Sequence, residues 1–158
     1  MSNVDYDLLR SQLRGLLAGE TDALAATSNF VALLFTALDG VNWLGVYVLR
    51  ADELVLGPFQ GKPACVHIPI GKGVCGVAAS TGKTQRVADV HDFPGHIVCD
   101  VESRSELVVP LRVDAELIGV LDIDSPSLAR FTETDQRGIE QLCAAFCQLL
   151  PRGNERFI

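Results

Sequence analysis

Apolar residues near the start of the chain recur at helical spacing. Leu8, Leu9, Leu13, Leu16 and Leu17 predict an amphipathic helix from Tyr6 to Leu17, weakened by Gly15 and ended by Gly19. Thr21 or Asp22 is placed to cap a second helix reaching about Leu38, with Leu24, Val31, Leu34, Phe35 and Leu38 on its buried side and Asp39-Gly40 stopping it. The period then changes. Trp43–Arg50 is rich in β-formers and Glu53–Phe59 is a second apolar run, and their junction at Ala51-Asp52 predicts a β-hairpin. Five glycines and three prolines between Gly57 and Gly76 predict a long surface loop, with a short strand at Val66–Ile68. Val74–Ser80 reads as a short helix ended near Gly82, and Thr84–Ala88 as a strand. A second loop follows from Asp89 to Ser103. Glu106–Arg112 and Glu116–Asp124 predict another hairpin, turning on Val113-Asp114-Ala115. Thr132, with Asp135 three residues on, opens a last helix in a weak relative of the capping box; Ile139, Leu142, Cys143, Phe146 and Leu149 form its apolar stripe and Pro151 ends it.

That order predicts an α+β layer in which terminal helices cover one face of an antiparallel sheet and the mid-chain loops cover the other. The 158 residues fit one domain over 1–158, with a helix in the first 20 residues and a tail from 151. The longest apolar stretches, such as Phe30–Phe35, fall far short of the ~20 residues that cross a bilayer. The opening Met-Ser-Asn-Val-Asp carries acid where a presequence carries bases, so a soluble, cytoplasmic protein without a membrane partner is expected. A net charge of −7 with no basic run excludes sequence-independent nucleic-acid binding, whose affinity comes from cations displacing counterions.

Candidate chemistry comes from the strands and the loops between them. Strand alternation puts Asp122 and Asp124 on one face and Leu121 and Ile123 on the other, and likewise groups Trp43, Gly45 and Tyr47. Two aromatics and two carboxylates on one cavity suit a small zwitterion with an apolar tail. Spacing alone leaves open a solvent-facing strand edge for the acids and plain core packing for the aromatics, and Glu106 alone reads as a surface residue. The cysteine count is five, an odd number without the spacing of a secreted disulfide framework. Cys143 and Cys147, four apart on an apolar helix face, read as small core hydrophobes. Cys65, Cys75 and Cys99 differ, since glycines and prolines surround them with irregular, accessible backbone. Zinc held by those three and His96 would lack the short Cys-x-x-Cys knuckles of structural sites. Gly71-Lys72-Gly73-Val74-Cys75-Gly76 lacks the Gly-Lys-Ser/Thr ending of a phosphate loop. His67, His91 and His96 read as loop or surface residues, with a thiolate-stabilising role for His96 as the sharper alternative.

Five segments resemble the free methionine-(R)-sulfoxide reductases, which are built on a single GAF domain: residues 41–47 around Trp43 and Tyr47, 56–65 ending in Cys65, 71–76 with Cys75, 105–111 with Glu106, and 119–125 with both aspartates. The resemblance runs from the second helix through the last. It implies a GAF-like fold and a homodimer, with Cys99 as nucleophile and Cys65 and Cys75 serving its regeneration. It further implies that Trp43 and Tyr47 cradle the methyl-sulfur end of free methionine sulfoxide, and that Glu106, Asp122 and Asp124 hold its amino group and sulfoxide oxygen. The chemistry is reasonable on its own terms. A sulfoxide sulfur becomes electrophilic when its oxygen is protonated or strongly hydrogen-bonded, and crowded carboxylates raise one another's pKa enough to supply the acid. Attack by Cys99 releases methionine and leaves a sulfenic acid, a second thiol condenses with it to a disulfide, and an external dithiol such as thioredoxin reduces that disulfide. No metal or organic cofactor is required. Asp100 disfavours a Cys99 thiolate, whereas Arg104, His96 or a backbone N–H favours it. The sequence leaves both Cys65 and Cys75 open as the resolving thiol and leans to Cys65. The rival functions are a GAF module sensing a small ligand without turnover, and a redox or zinc switch.

Overall fold

Asp5 caps helix α1 (Tyr6–Leu17) by accepting from Leu8 N at 2.9 Å, and Asp22 caps α2 (Ala23–Ala37) through Ala25 N in the same way. The computed structural model describes residues 3–151 and 158. The tail expected from 151 lies, apart from Pro151 and Ile158, outside the described residues. Helix α1 buries Leu9, Leu13 and Leu17, whereas Leu8 and Leu16 face outward. Helix α2 corrects the expected face more fully. Leu24 is exposed and Phe35 only partly covered, and the buried set is Ala26, Thr27, Phe30, Val31 and Leu34. This helix is apolar on nearly every side, so periodicity alone does not select the face. Thr27 is tolerated there because its hydroxyl donates to Ala23 O at 2.7 Å.

Strands β1 (Trp43–Arg50), β2 (Glu53–Gln60), β3 (His67–Pro69), β4 (Gln85–Val87), β5 (Ser105–Val113) and β6 (Glu116–Ser125) form one antiparallel sheet in the order β3-β2-β1-β6-β5-β4. Helix α3 (Gly73–Thr81) lies between β3 and β4, and α4 (Glu133–Leu149) closes the described fold. The loop expected over 57–76 is shorter than predicted, because Gly57 and Pro58 continue β2 and Gly73–Gly76 begin α3. The predicted hairpins and the Thr132/Asp135 capping box are present.

The sheet separates two apolar clusters. On one face α1, α2 and α4 cover Leu44, Leu107, Leu121 and Ile123, all fully buried, and the rings of Phe30 and Phe146 stack at 4.1 Å. Gly138 lets α1 close on α4, since a Cβ there would collide with the ring of Tyr6, whose hydroxyl donates to Asp135 at 2.6 Å. On the opposite face α3 and the loops after β2 and β4 pack on Trp43, Tyr47, Val108 and Val120. Cys143 and Cys147 sit buried among the helices, as their spacing predicts. Among the described residues no helix is long and apolar enough to cross a membrane.

Candidate active site

Register builds the site. Across three neighbouring strands Trp43 pairs with Asp124 and Asp124 with Glu106; in the next row of the same face Gly45 pairs with Asp122 and Asp122 with Val108. The intervening row, Leu44, Ile123 and Leu107, points into the helical core. Alternation therefore delivers all three acids to the loop-covered face, and the surface-residue reading of Glu106 is overturned: Glu106 and Asp122 are both only 6% exposed.

The aromatics frame one wall. The rings of Trp43 and Tyr47 stand 5.9 Å apart, with Phe59 stacked 5.4 Å beyond Trp43. Gly45 makes this possible, because a Cβ there would sit 2.5 Å from both the Trp43 ring and Phe59 Cβ. Both aromatics spend their polar ends on the following loop: Trp43 Nε1 donates to Lys62 O at 3.0 Å and Tyr47 Oη donates to Cys65 O at 2.9 Å. They thus fix the backbone on which Cys65 is carried.

Cys65 is bonded to Cys99, with a Cα–Cα distance of 5.6 Å and a sequence separation of 34. An ion pair of 2.9 Å between Lys62 and Glu102 ties the same two loops together. Cys99 is exposed and Cys65 half-buried. Cys75 departs from the expectation of an accessible thiol: it lies in the first turn of α3, is buried and free, and points its Sγ at Glu106 Oε1, 3.9 Å away. Its glycine neighbours serve the helix start, where Gly73 has φ 64°, and the close approach of Gly76 to the Pro69 carbonyl.

Trp43, Tyr47, Cys75, Cys99 and the three acids line a cavity of about 40 Å³, together with Lys62, Lys72, His96, Asp100 and Ser103. Burial, reinforced by the charges of Asp122 and Asp124, pushes the Glu106 carboxyl well up. Asp124 is raised by burial and then by Asp122, and the Cys75 thiol by burial and then by Asp122 and Glu106. Asp122 is raised by burial, while hydrogen bonds from Glu106 and Cys75 oppose the shift. One oxygen of Asp122, Oδ1, is buried without a hydrogen-bond partner. His96 is lowered by burial and then by His91. Buried carboxyls with raised pKa beside a redox-capable cysteine pair can deliver a proton to a ligand, hold a cation, and exchange electrons with it.

The GAF domain family matches residues 12–150. A free methionine-R-sulfoxide reductase of Escherichia coli strain K12 is 52% identical over 145 residues, spanning 92% of this chain and 88% of that protein. This chain belongs to the free methionine-R-sulfoxide reductase family of GAF domains. Two solved members of that family superpose closely. The structure of fRMsr of Staphylococcus aureus in complex with substrate has a TM-score of 0.90 at 50% identity, covering 95% of this chain and 98% of that one. The free methionine-R-sulfoxide reductase of Neisseria meningitidis in complex with its substrate has a TM-score of 0.88 at 44% identity, covering 94% and 92%.

Sequence reasoning placed the three acids, the two aromatics and the three cysteines of this reductase-family chain at one mouth. It missed the Lys62–Glu102 clasp, since nothing local ties residues 40 apart. It also missed the N-terminus of α3, whose signal was available: a Gly-Lys-Gly turn with no side-chain cap leaves the Gly73, Val74 and Cys75 amides beside the cavity, the first intrahelical bond being Gly76 N to Lys72 O.

Proposed function

We propose that this protein reduces free L-methionine-(R)-sulfoxide to L-methionine through a sulfenic acid on Cys99 and the Cys65–Cys99 disulfide, with thioredoxin as the resetting dithiol. The observation that carries this reading is a disulfide whose Cys99 lines a cavity that also holds three carboxylates. The substrate ammonium sits against Asp122 and Asp124, its carboxylate against the uncapped first turn of α3, and its methyl-sulfur end against Trp43 and Tyr47. Glu106 donates its proton to the sulfoxide oxygen as the Cys99 thiolate attacks sulfur. The sulfur–oxygen bond passes to Cys99 as a sulfenic acid, and methionine leaves. The Cys65 thiol then attacks the sulfenic sulfur, releases water and forms the disulfide, which an external dithiol reduces by exchange. No organic cofactor takes part. Peptide-bound methionine lacks the free ammonium and is excluded by the aspartates.

The test is NADPH consumption in the presence of thioredoxin and its reductase, run on each sulfoxide epimer, free and peptide-bound. NADPH loss with the free R epimer alone is expected. No loss with either epimer overturns the reductase reading in favour of a non-catalytic GAF sensor. A homodimer and a cytoplasmic location belong to the same reading; the outward-facing Leu8 and Leu16 of α1 supply apolar surface for a second copy, and light scattering reads the mass.

A further inference from the structure

Cys75 has no part in the reaction as written, yet it is buried with its thiol against Glu106 in the floor of the cavity. One ligand atom from each of Cys75, Glu106 and Asp122 lies within 4.8 Å of the others. A zinc–sulfur bond near 2.3 Å and a zinc–oxygen bond near 2.1 Å at tetrahedral angles put sulfur and oxygen about 3.6 Å apart. Cys75 Sγ and Glu106 Oε1 are 3.9 Å apart, near that span, and the Asp122 ligand atom lies within 4.8 Å of both. The buried, unpartnered Oδ1 of Asp122 is a second and separate indication that the floor lacks a partner for a negative oxygen. In the disulfide state the cavity of about 40 Å³ has room for an ion and its water, since one water needs roughly 10–15 Å³ of such space.

We propose that Cys75, Glu106 and Asp122 form a three-ligand binding site for a zinc-class divalent cation, with water in the fourth position. One sulfur with two carboxylates suits a borderline cation, and the sulfur disfavours the hard cations calcium and magnesium, which take oxygen ligands. Binding forms one metal–sulfur and two metal–oxygen bonds, and the Cys75 thiol and Glu106 carboxyl release their protons to solvent; no oxidant or reductant is involved. The ion and the amino acid compete, because both require Glu106 and Asp122. That last statement rests on the reductase reading above; the ion site itself does not.

Cobalt(II) titrated into the disulfide form tests the site, since Cys65 and Cys99 are then excluded as ligands. One equivalent per chain with a thiolate-to-cobalt charge-transfer band is expected, removed by added zinc, lost in Cys75→Ser and retained in Cys143→Ser and Cys147→Ser. Glu106→Gln, checked for native circular dichroism, is expected to weaken cobalt affinity at least tenfold. Absence of the band, or its survival in Cys75→Ser, overturns the site. Competition is read on the Cys65→Ser/Cys99→Ser protein, where methionine sulfoxide is expected to displace cobalt. Simultaneous binding of both overturns the competition. Failure of methionine sulfoxide to bind the metal-free protein, with the cobalt band intact, counts against the reductase reading and leaves the ion site standing.

Discussion

The five cysteines differ by what surrounds each sulfur. Burial raises the Cys143 thiol, with Cys147 and Glu140 adding, and raises Cys147 to about 11, so both stay protonated in the helical core. Cys99→Ser is therefore expected to abolish turnover, while Cys143→Ser and Cys147→Ser retain most of it; equal losses in all three by NADPH assay would contradict the division. Glu106 gives a second prediction. Its carboxyl titrates near pH ~4.3 in the unfolded chain and well above that when folded, so the native state holds the extra proton between those limits. Stability then falls as pH rises through that window, because the unfolded state has shed a proton the folded state retains. Glu106→Gln is expected to raise the thermal midpoint at pH 7 by about 2–4 °C for each kcal/mol relieved, to lose that gain below pH ~4, and to cut kcat severely. A midpoint unchanged at pH 7 would place the strain elsewhere.

Among elements, the central strands were the most legible in the sequence, because a period of two is unambiguous when Leu121 and Ile123 alternate with Asp122 and Asp124. The face of α2 was legible only in part, Val31, Leu34 and Leu38 being buried as expected and Leu24 and Phe35 not, because apolar residues surround the helix. Cys75 was placed on the expected short helix but its burial was misread, because the glycines around it suggested accessible backbone. The resemblance leaned to Cys65 as the partner of Cys99, whereas the Lys62–Glu102 clasp between the same loops was invisible without coordinates, and the meeting depends on β1. Tyr47 reaches across to the Cys65 carbonyl and Trp43 to that of Lys62. Tyr47→Phe removes a bond worth about 0.5–1.5 kcal/mol, which predicts disulfide formation slowed about 2- to 10-fold after a single turnover, with methionine release kept. Equal slowing of both steps would assign the hydroxyl to the substrate instead.

For the whole molecule, the sheet partitions stability from chemistry. The cluster under α1, α2 and α4 contains no member of the cavity lining. Phe30→Ala, which removes a fully buried ring stacked on Phe146, is expected to cost about 3–5 kcal/mol in urea unfolding while KM for the sulfoxide changes less than twofold. A large change in KM would mean that the two layers communicate through the strands.

The unequal exposure of the two bonded sulfurs sets a direction on recycling. An incoming thiolate meets Cys99 at the surface before it meets Cys65, half-covered by its own loop. On the proposed recycling route, the transient adduct with the reductant is therefore expected to grow on Cys99, with Cys65 departing as the leaving thiolate. A thioredoxin deprived of its second cysteine should remain attached to the chain at Cys99, as peptide mass mapping would read, and attachment at Cys65 would reverse that order of events.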